Sequence, residues 1–412
     1  MNTNDIQISL PPSKSISNRW LILNYLFGGV FNLSGLSLSD DTVLIRRLLN
    51  QLHQEPDGGV YYCDNAGAAV RFMTALLAIT PGNHLVNGDE RLRMRPIAPL
   101  VESLRSIGCE IEYSGNQGQL PLVIKGTVPR RKMVTVDASL SSQFVSALLL
   151  IAPALPAGMT LTLTSHPTSR PYIAMTCNIL KQAGFPVKVS ASGRTIMVGP
   201  ATENPPKKQS VKIERDWSSA SYFYELAALD PTKRIRLVGL SPNSIQGDMA
   251  LMEIFQQIGV KSSVVRSPYH SDVNSIRIQG GNGSVECVKY NFRDCPDLAP
   301  AVIVTCAALG IRSIFSGLNT LKNKESDRLQ ALVAELRDMN CDISLHANQS
   351  LYIKPSKLQP IRPVNTYGDH RLVMAFAPLK LLFPEVEIEN PELVTKSFPN
   401  FWELFNKVVS QE

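Results

Sequence analysis

The sequence holds no CxxC pair, no HxxxH spacing and no apolar run long enough to cross a bilayer. Its seven cysteines are scattered and odd in number. The opening residues, MNTNDIQISL, resemble neither a secretory leader nor an Arg-rich transit helix. Together these point to reduced thiols packed in cores and to a cytoplasmic protein. The six histidines lack metal-ligand spacing, so no metal is expected. The longest apolar stretch, 144–155, is broken by Ser146 and Pro153, which argues against a membrane span. Nucleotide fingerprints are missing too: there is no GxxxxGK, and GGNG at 280–283 neither fits GxGxxG nor opens a helix. The excess of one charge sign is small as well. A net charge of +6 over 412 residues comes with only two dense basic runs, PRRK at 129–132 and PPKK at 205–208, which read as solvated hairpin tips. Without a basic stripe interleaved with aromatics, nucleic-acid binding is disfavoured. What remains is ordinary globular composition, 44% hydrophobic and 18% charged, in a chain long enough for two domains.

Against this plain background a pattern recurs. Six times a short polar knot opens directly into an apolar, helix-like run: KSISNR at 14–19, NAGAAVR at 65–71, SLSSQF at 139–144, DWSSASYF at 216–223, CPDLAP at 295–300 and DHR at 369–371. A second family of helices alternates with the first. Ile97, Leu100, Val101, Leu104 and Ile107 follow an amphipathic spacing closed by Gly108, and Leu329, Leu332, Val333, Leu336 and Met339 repeat it before Asn340. Helices ending at Gly184 and Gly259 fit most of the same spacing, and a strand-like stretch (CEIEY, CDISL, FPVKV, VKSSV) follows each of the four. A period of roughly 50 to 80 residues thus carries one α/β unit about six times, three per domain. The composition shift at 201–209 places a boundary near Ile213, and the strand IQISL could pair with either half.

Polar helix starts favour anions, because unpaired backbone N–H groups and the helix dipole point there. Lys14, Arg95, Arg328, Arg371 and Lys396 lie at or near such starts, where a cation is electrostatically unfavourable. With Arg19, Arg71 and Lys324 they form a cationic set that suits a bound anion. Ser141, Ser142 and Gln143 can cap a helix or bind a polyol or phosphate; Ser15, Ser17, Ser169 and Tyr172 leave the same choice open. Gly67 permits close approach of backbone to ligand. Asp297 and Glu325 are candidate proton carriers, against the plainer readings of a capping Asp and an i, i+3 pair of Glu325 with Arg328. If they face the cations, their acidity should increase. Asp40, Asp41 and Asp216 look like caps, with bracing of cations as a lesser role.

The motifs PSKSISNR, NAG..R, RPI, SLSSQF, SRPYI, D.SSASYF, QGD, PD, KESDRL, TYGDHR and KSFPNF, in this order and almost end to end, resemble the EPSP synthase (3-phosphoshikimate 1-carboxyvinyltransferase) family. The resemblance implies a two-lobed enolpyruvyltransferase fold, an inside-out α/β barrel with three βαβαββ repeats in each lobe. One lobe would be 13–214 and the other 1–12 plus 215–412, with the active site in the interdomain cleft. It implies a cofactor-independent monomer acting on phosphoenolpyruvate and 3-phosphoshikimate. Lys14, Gly67, Arg95, Gln143, Arg328, Arg371 and Lys396 match the phosphoenolpyruvate set. Lys14, Ser15, Arg19, Ser141, Ser142, Gln143, Ser169, Asp297 and Lys324 match the 3-phosphoshikimate set. Asp297 matches the proton acceptor, Glu325 the donor, and Tyr172 and His370 support them. Pro12, Ala68, Phe72, Trp217 and Thr320 depart from the family pattern, yet none removes a charged group. The retained Gly67 implies sensitivity to glyphosate, the family's phosphoenolpyruvate-competitive inhibitor. A UDP-N-acetylglucosamine enolpyruvyltransferase is disfavoured, since its reactive Cys is missing from GDERLRMRP at 88–96. A catalytically dead relative that only binds phosphorylated ligands is disfavoured by the intact Asp297 and Glu325.

Overall fold

The computed structural model describes residues 5–129, 131–266, 274–281, 283–347 and 349–410. Arg130 of the PRRK run and Asn282 of GGNG lie outside the described residues. The chain forms two units: an amino unit of Lys14–Ser37 and Asp41–Ile213, and a carboxyl unit of Met1–Ser13, Leu38–Asp40 and Glu214–Glu412. Among the described residues, no helix is long and apolar enough to cross a membrane.

One rule builds both units: two parallel strands flank, in sequence or across a long crossing, a helix that starts with one of the polar knots. In the amino unit, strand Val60–Tyr62 runs parallel to Gly82–Asn87 on either side of helix Gly67–Ile79. Helix Ala98–Ile107 and the antiparallel strands Glu110–Tyr113 and Leu122–Gly126 then complete a four-stranded sheet. Met133–Val136, helix Ser142–Ile151, Met159–Leu163, helix Arg170–Gln182, Val187–Val189 and Thr195–Val198 repeat this order. The carboxyl unit holds two further copies around helices Trp217–Leu229 and Ala299–Ala308. The strand left open by the sequence resolves here: Ile6–Ser9 pairs in parallel with Arg234–Val238, Ile6 opposite Ile235.

Two of the six repeats are shorter. Around helix Lys14–Leu26 the parallel pair is Phe31–Ser34 with Gln209–Lys212, and this sheet has only two strands among the described residues. Around helix His370–Phe376 the pair shrinks to a single parallel bridge between Val364 and Ile388. The antiparallel hairpin is therefore dispensable, whereas the knot-bearing helix is present every time.

These six helices form the interiors. Lys14–Leu26, Gly67–Ile79 and Ser142–Ile151 pack on one another in the amino unit; Ala299–Ala308 packs on both Trp217–Leu229 and His370–Phe376 in the carboxyl unit. All thirteen residues of Trp217–Leu229 are buried, and all seven of His370–Phe376. A helix apolar on every side has to sit inside. Trp217, bulky at a helix start, is fully buried and donates its indole N–H to the Ser241 carbonyl at 3.0 Å. The second family of helices instead buries one stripe against the sheets. Their closures match the spacing: Gly108 ends its helix at φ 107° and Asn340 follows its helix at φ 65°, left-handed conformations that these residue types tolerate.

Candidate functional site

In the carboxyl unit three helix starts bring charge together. Asp297 lies on the short turn Pro296–Leu298 that leads into helix Ala299–Ala308. Its Oδ1 accepts from Lys324 Nζ and from Arg328 Nη1, each at 3.1 Å, and its Oδ2 from Arg371 Nη2 at 3.0 Å. Capping does not occupy this carboxylate; three cations do. Arg328, the first residue of helix Arg328–Asp338, also reaches Glu325 Oε2 at 2.7 Å and Asp369 Oδ2 at 2.7 Å. The i, i+3 pair of Glu325 and Arg328 is thus formed, within a larger network. Asp369 caps helix His370–Phe376 by accepting from the Arg371 amide, and takes the Ser326 hydroxyl at 3.0 Å. His370 is buried beside it, with Nδ1 3.6 Å from Asp369 Oδ1. Lys396 ends the turn Pro391–Lys396, which packs on the same helix.

The electrostatics follow from this wiring. Removal from water would raise the Asp297 pKa, but Arg371, Lys324 and Arg328 outweigh it and hold the carboxyl far below the usual range. Burial would likewise weaken Arg328 as a cation, and Asp369, Glu325 and Asp297 reverse that. Lys324 is lowered by burial, with Asp297 opposing. Two members of this neighbourhood lie inside the quoted motifs D.SSASYF and QGD but are not among the expected site residues. Tyr222, pushed up to about 12 by burial, accepts from Arg371 Nη1 through its hydroxyl oxygen at 3.5 Å. Asp248, from the QGD motif, is buried, takes a short hydrogen bond from the Ser218 hydroxyl, and is pushed up to about 6 by burial and then by the Asp297 charge.

The amino unit gathers cations differently. Arg71 Nη1 donates to the Gly67 carbonyl at 2.9 Å and to Gln143 Oε1 at 3.1 Å, and Nη2 donates to the Pro96 carbonyl. Arg95 Nη1 lies 3.5 Å from Asn65 Oδ1. A Cβ built on Gly67 would sit 2.6 Å from both Arg71 Nη1 and Arg95 Nη2, so a bare glycine is what lets two guanidinium groups crowd one helix start. Arg19 is buried one helix away. It donates to the Thr176 hydroxyl at 2.8 Å, the Ser15 carbonyl at 2.8 Å and the Ser146 hydroxyl at 3.0 Å, and lies over the rings of Phe72 and Tyr172. Burial lowers its pKa to about 10. Lys14 pairs with Asp41 at 2.9 Å, so Asp41 braces a cation, while Asp216 caps its helix through the Ser219 amide.

Several candidates sit at helix starts without entering these hydrogen-bond sets. Ser141 caps helix Ser142–Ile151 by accepting from the Gln143 amide at 3.2 Å, and Ser142 is the buried first residue of that helix. Ser169 precedes helix Arg170–Gln182 in a left-handed conformation, φ 53°. Such a conformation is uncommon for serine and is stored at functional positions more often than elsewhere. Thr176 and Ser146, which complete the Arg19 site, are not marked as site residues by the sequence; the one signal is that Ser146 interrupts an apolar run.

Comparison with known proteins follows the same architecture. The family model described as EPSP synthase (3-phosphoshikimate 1-carboxyvinyltransferase) matches residues 4–405. A 3-phosphoshikimate 1-carboxyvinyltransferase of Bacteroides fragilis (strain YCH46) is 39% identical over 397 residues, covering 96% of this chain and 93% of that one. One from Marinomonas sp. (strain MWYL1) is 30% identical, covering 98% and 97%. Among solved structures, an EPSP synthase from Acinetobacter baumannii superposes with a TM-score of 0.73 at 20% identity, covering 98% of this chain and 95% of that one, a likeness of fold.

Proposed function

The chain belongs to the EPSP synthase (3-phosphoshikimate 1-carboxyvinyltransferase) family, and from that premise we propose how its two charged clusters share the family's reaction. The reaction moves the carboxyvinyl group of phosphoenolpyruvate to the 5-hydroxyl of 3-phosphoshikimate and releases phosphate. Asp297 accepts the hydroxyl proton as the oxygen attacks C2 of phosphoenolpyruvate, and Glu325, which takes up a proton from solvent when the bound anions draw Arg328 away from it, delivers that proton to C3. The tetrahedral adduct then loses phosphate together with a C3 proton, which leaves the enol ether. Lys14, Gly67, Arg95, Gln143, Arg328, Arg371 and Lys396 hold phosphoenolpyruvate. Lys14, Ser15, Arg19, Ser141, Ser142, Gln143, Ser169, Asp297 and Lys324 hold 3-phosphoshikimate, with Tyr172 and His370 in support. Catalysis draws on both lobes, 13–214 and 1–12 with 215–412, in a cytoplasmic monomer.

The observation that carries this reading is the grip of three cations on Asp297. A carboxylate held so firmly is a weak base. Bound phosphate and carboxylate groups compete for the same cations, relax that grip and raise the basicity of Asp297 when both substrates are in place. Asp297→Ala should therefore keep phosphoenolpyruvate binding and lose about 100-fold or more in turnover, the scale of acid–base catalysis. Turnover near that of the parent would remove Asp297 from the mechanism. Phosphate release with 3-phosphoshikimate, and none with UDP-N-acetylglucosamine, checks the acceptor in the same assay.

A further inference from the structure

The segment that delivers Asp369 and Arg371 runs through a conformation that its sequence does not favour. Tyr367 has φ 52° and Gly368 φ 68°, two left-handed residues in succession immediately before the helix cap. For a tyrosine this conformation costs about 1–3 kcal/mol and persists only where the surroundings impose it. Packing does not impose it, because Tyr367 is 43% exposed.

Glu335 does. Its side chain is buried, and both oxygens are saturated by this one segment. Oε1 accepts from the Tyr367 hydroxyl at 2.9 Å and from Arg362 Nη2 at 3.1 Å. Oε2 accepts from the Asn365 amide at 3.0 Å and pairs with Arg362 Nη1 at 3.1 Å. Asn365 in turn holds the Tyr367 amide through its side-chain oxygen at 2.8 Å. Glu335 stands seven residues after Arg328 on helix Arg328–Asp338, on the same face and about 10 Å further along. One rigid helix therefore grips the segment twice: Arg328 at Asp369, and Glu335 at Asn365 and Tyr367.

We propose that Glu335 is a positioning residue for the reaction: by fixing the turn at Tyr367 it sets the angle at which Arg371 meets Asp297. The proposal rests on the reading of Arg371 and Asp297 given above. Without Glu335 the turn can relax to a right-handed form, which swings the start of helix His370–Phe376 and moves the Arg371 fork off Asp297. Misplacing a catalytic array by about 1 Å lowers rates by on the order of 100-fold.

A double-mutant cycle tests it, with Glu335→Ala, Arg371→Lys and the pair assayed where thermal unfolding shows all to be folded. Glu335→Ala should lower kcat/KM for phosphoenolpyruvate about 100-fold in the parent, but add far less in the Arg371→Lys background, where the fork is already gone. Glu335→Gln, which keeps one acceptor for Tyr367, should restore part of the loss. Equal losses in both backgrounds, with Arg371→Lys itself defective, would show that Glu335 acts independently of Arg371 and overturn the proposal. Parent-like activity of Arg371→Lys would overturn the assignment of Arg371, and this inference with it. If Glu335→Ala does not fold, the same cycle run with Tyr367→Phe separates these outcomes.

Discussion

Arg328 and Arg19 are both buried arginines in the first turn or two of a helix, one in each unit, and their surroundings are opposite. Arg328 meets three carboxylates, those of Asp297, Glu325 and Asp369. The donors of Arg19 go to hydroxyls and carbonyls, those of Thr176, Ser146, Ser15 and Tyr172, and its faces to aromatic rings. Burial consequently weakens Arg19 as a cation, whereas its carboxylates strengthen Arg328. Around Arg328 the formal charges of Lys324, Arg328 and Arg371 are cancelled by those of Asp297, Glu325 and Asp369. Around Arg19 the positive charge is solvated by neutral dipoles, an arrangement suited to a ligand that brings its own negative charge. The carboxyl unit thus supplies a network to be rearranged, and the amino unit a charge to be met.

The sharpest way to break this contrast is to remove each guanidinium. Arg328→Met should strip three acidic side chains of their shared partner, including the fully buried Asp369, and cost about 3–5 kcal/mol in denaturant unfolding. Arg19→Met relieves an unfavourably buried charge while leaving hydroxyls that can turn to other acceptors, so it should cost about 1 kcal/mol or less. Affinity for 3-phosphoshikimate should nevertheless fall steeply in Arg19→Met. Equal destabilisation by the two substitutions would mean that the amino unit also balances its charges internally.

The sequence made the interior helices legible because a helix buried on every side is written as a mostly apolar run, broken only by single residues such as Ser146 and Glu225, and its polar start stands out against it. The Glu325–Arg328 contact was legible for a similar reason, since an i, i+3 spacing is local. Asp297 and Arg371 are 74 residues apart, and nothing in spacing joins them; only the resemblance did. Thr176 and Ser146 stayed hidden because a single hydroxyl near an apolar run reads as an interruption until a buried partner is seen beside it, whereas Tyr222 and Asp248 lay inside quoted motifs without a role until their neighbours were seen. The missing hairpin of the Lys14–Leu26 repeat was hidden too, since its parallel partner, Gln209–Lys212, lies far along the chain.

Asp248 sharpens the view of the carboxyl unit as electrically balanced, because it is a fourth carboxyl next to an already cancelled set. Its folded pKa of about 6 lies above the value of an unfolded aspartate. The ionised form is therefore disfavoured by folding, and stability should decline as pH rises from about 4 to about 6, then level off. Asp248→Asn cannot ionise and should keep a hydrogen bond to Ser218. It should exceed the parent in stability by about 1–3 kcal/mol near neutral pH, with the difference vanishing below about pH 4. A constant difference across that range would show that Asp248 does not titrate there.

Gly67 gives the corresponding test in the amino unit, and the effect should appear in binding. The glycine is helical and needs no special backbone angle; its role is the room it leaves for Arg71 Nη1 and Arg95 Nη2, each of which a Cβ would approach to 2.6 Å. Both are the far ends of flexible side chains, so the fold can yield cheaply, and alanine is the better helix former. The displaced guanidinium groups include Arg95, which is assigned to phosphoenolpyruvate. Gly67→Ala should therefore unfold at the parent temperature or slightly above it, while KM for phosphoenolpyruvate rises about tenfold, equivalent to about 1.4 kcal/mol. KM for 3-phosphoshikimate should hold steady. A rise in both constants would extend the effect to Arg19 through Phe72, and a rise in neither would mean that the two guanidinium groups accommodate a methyl group without leaving their anion.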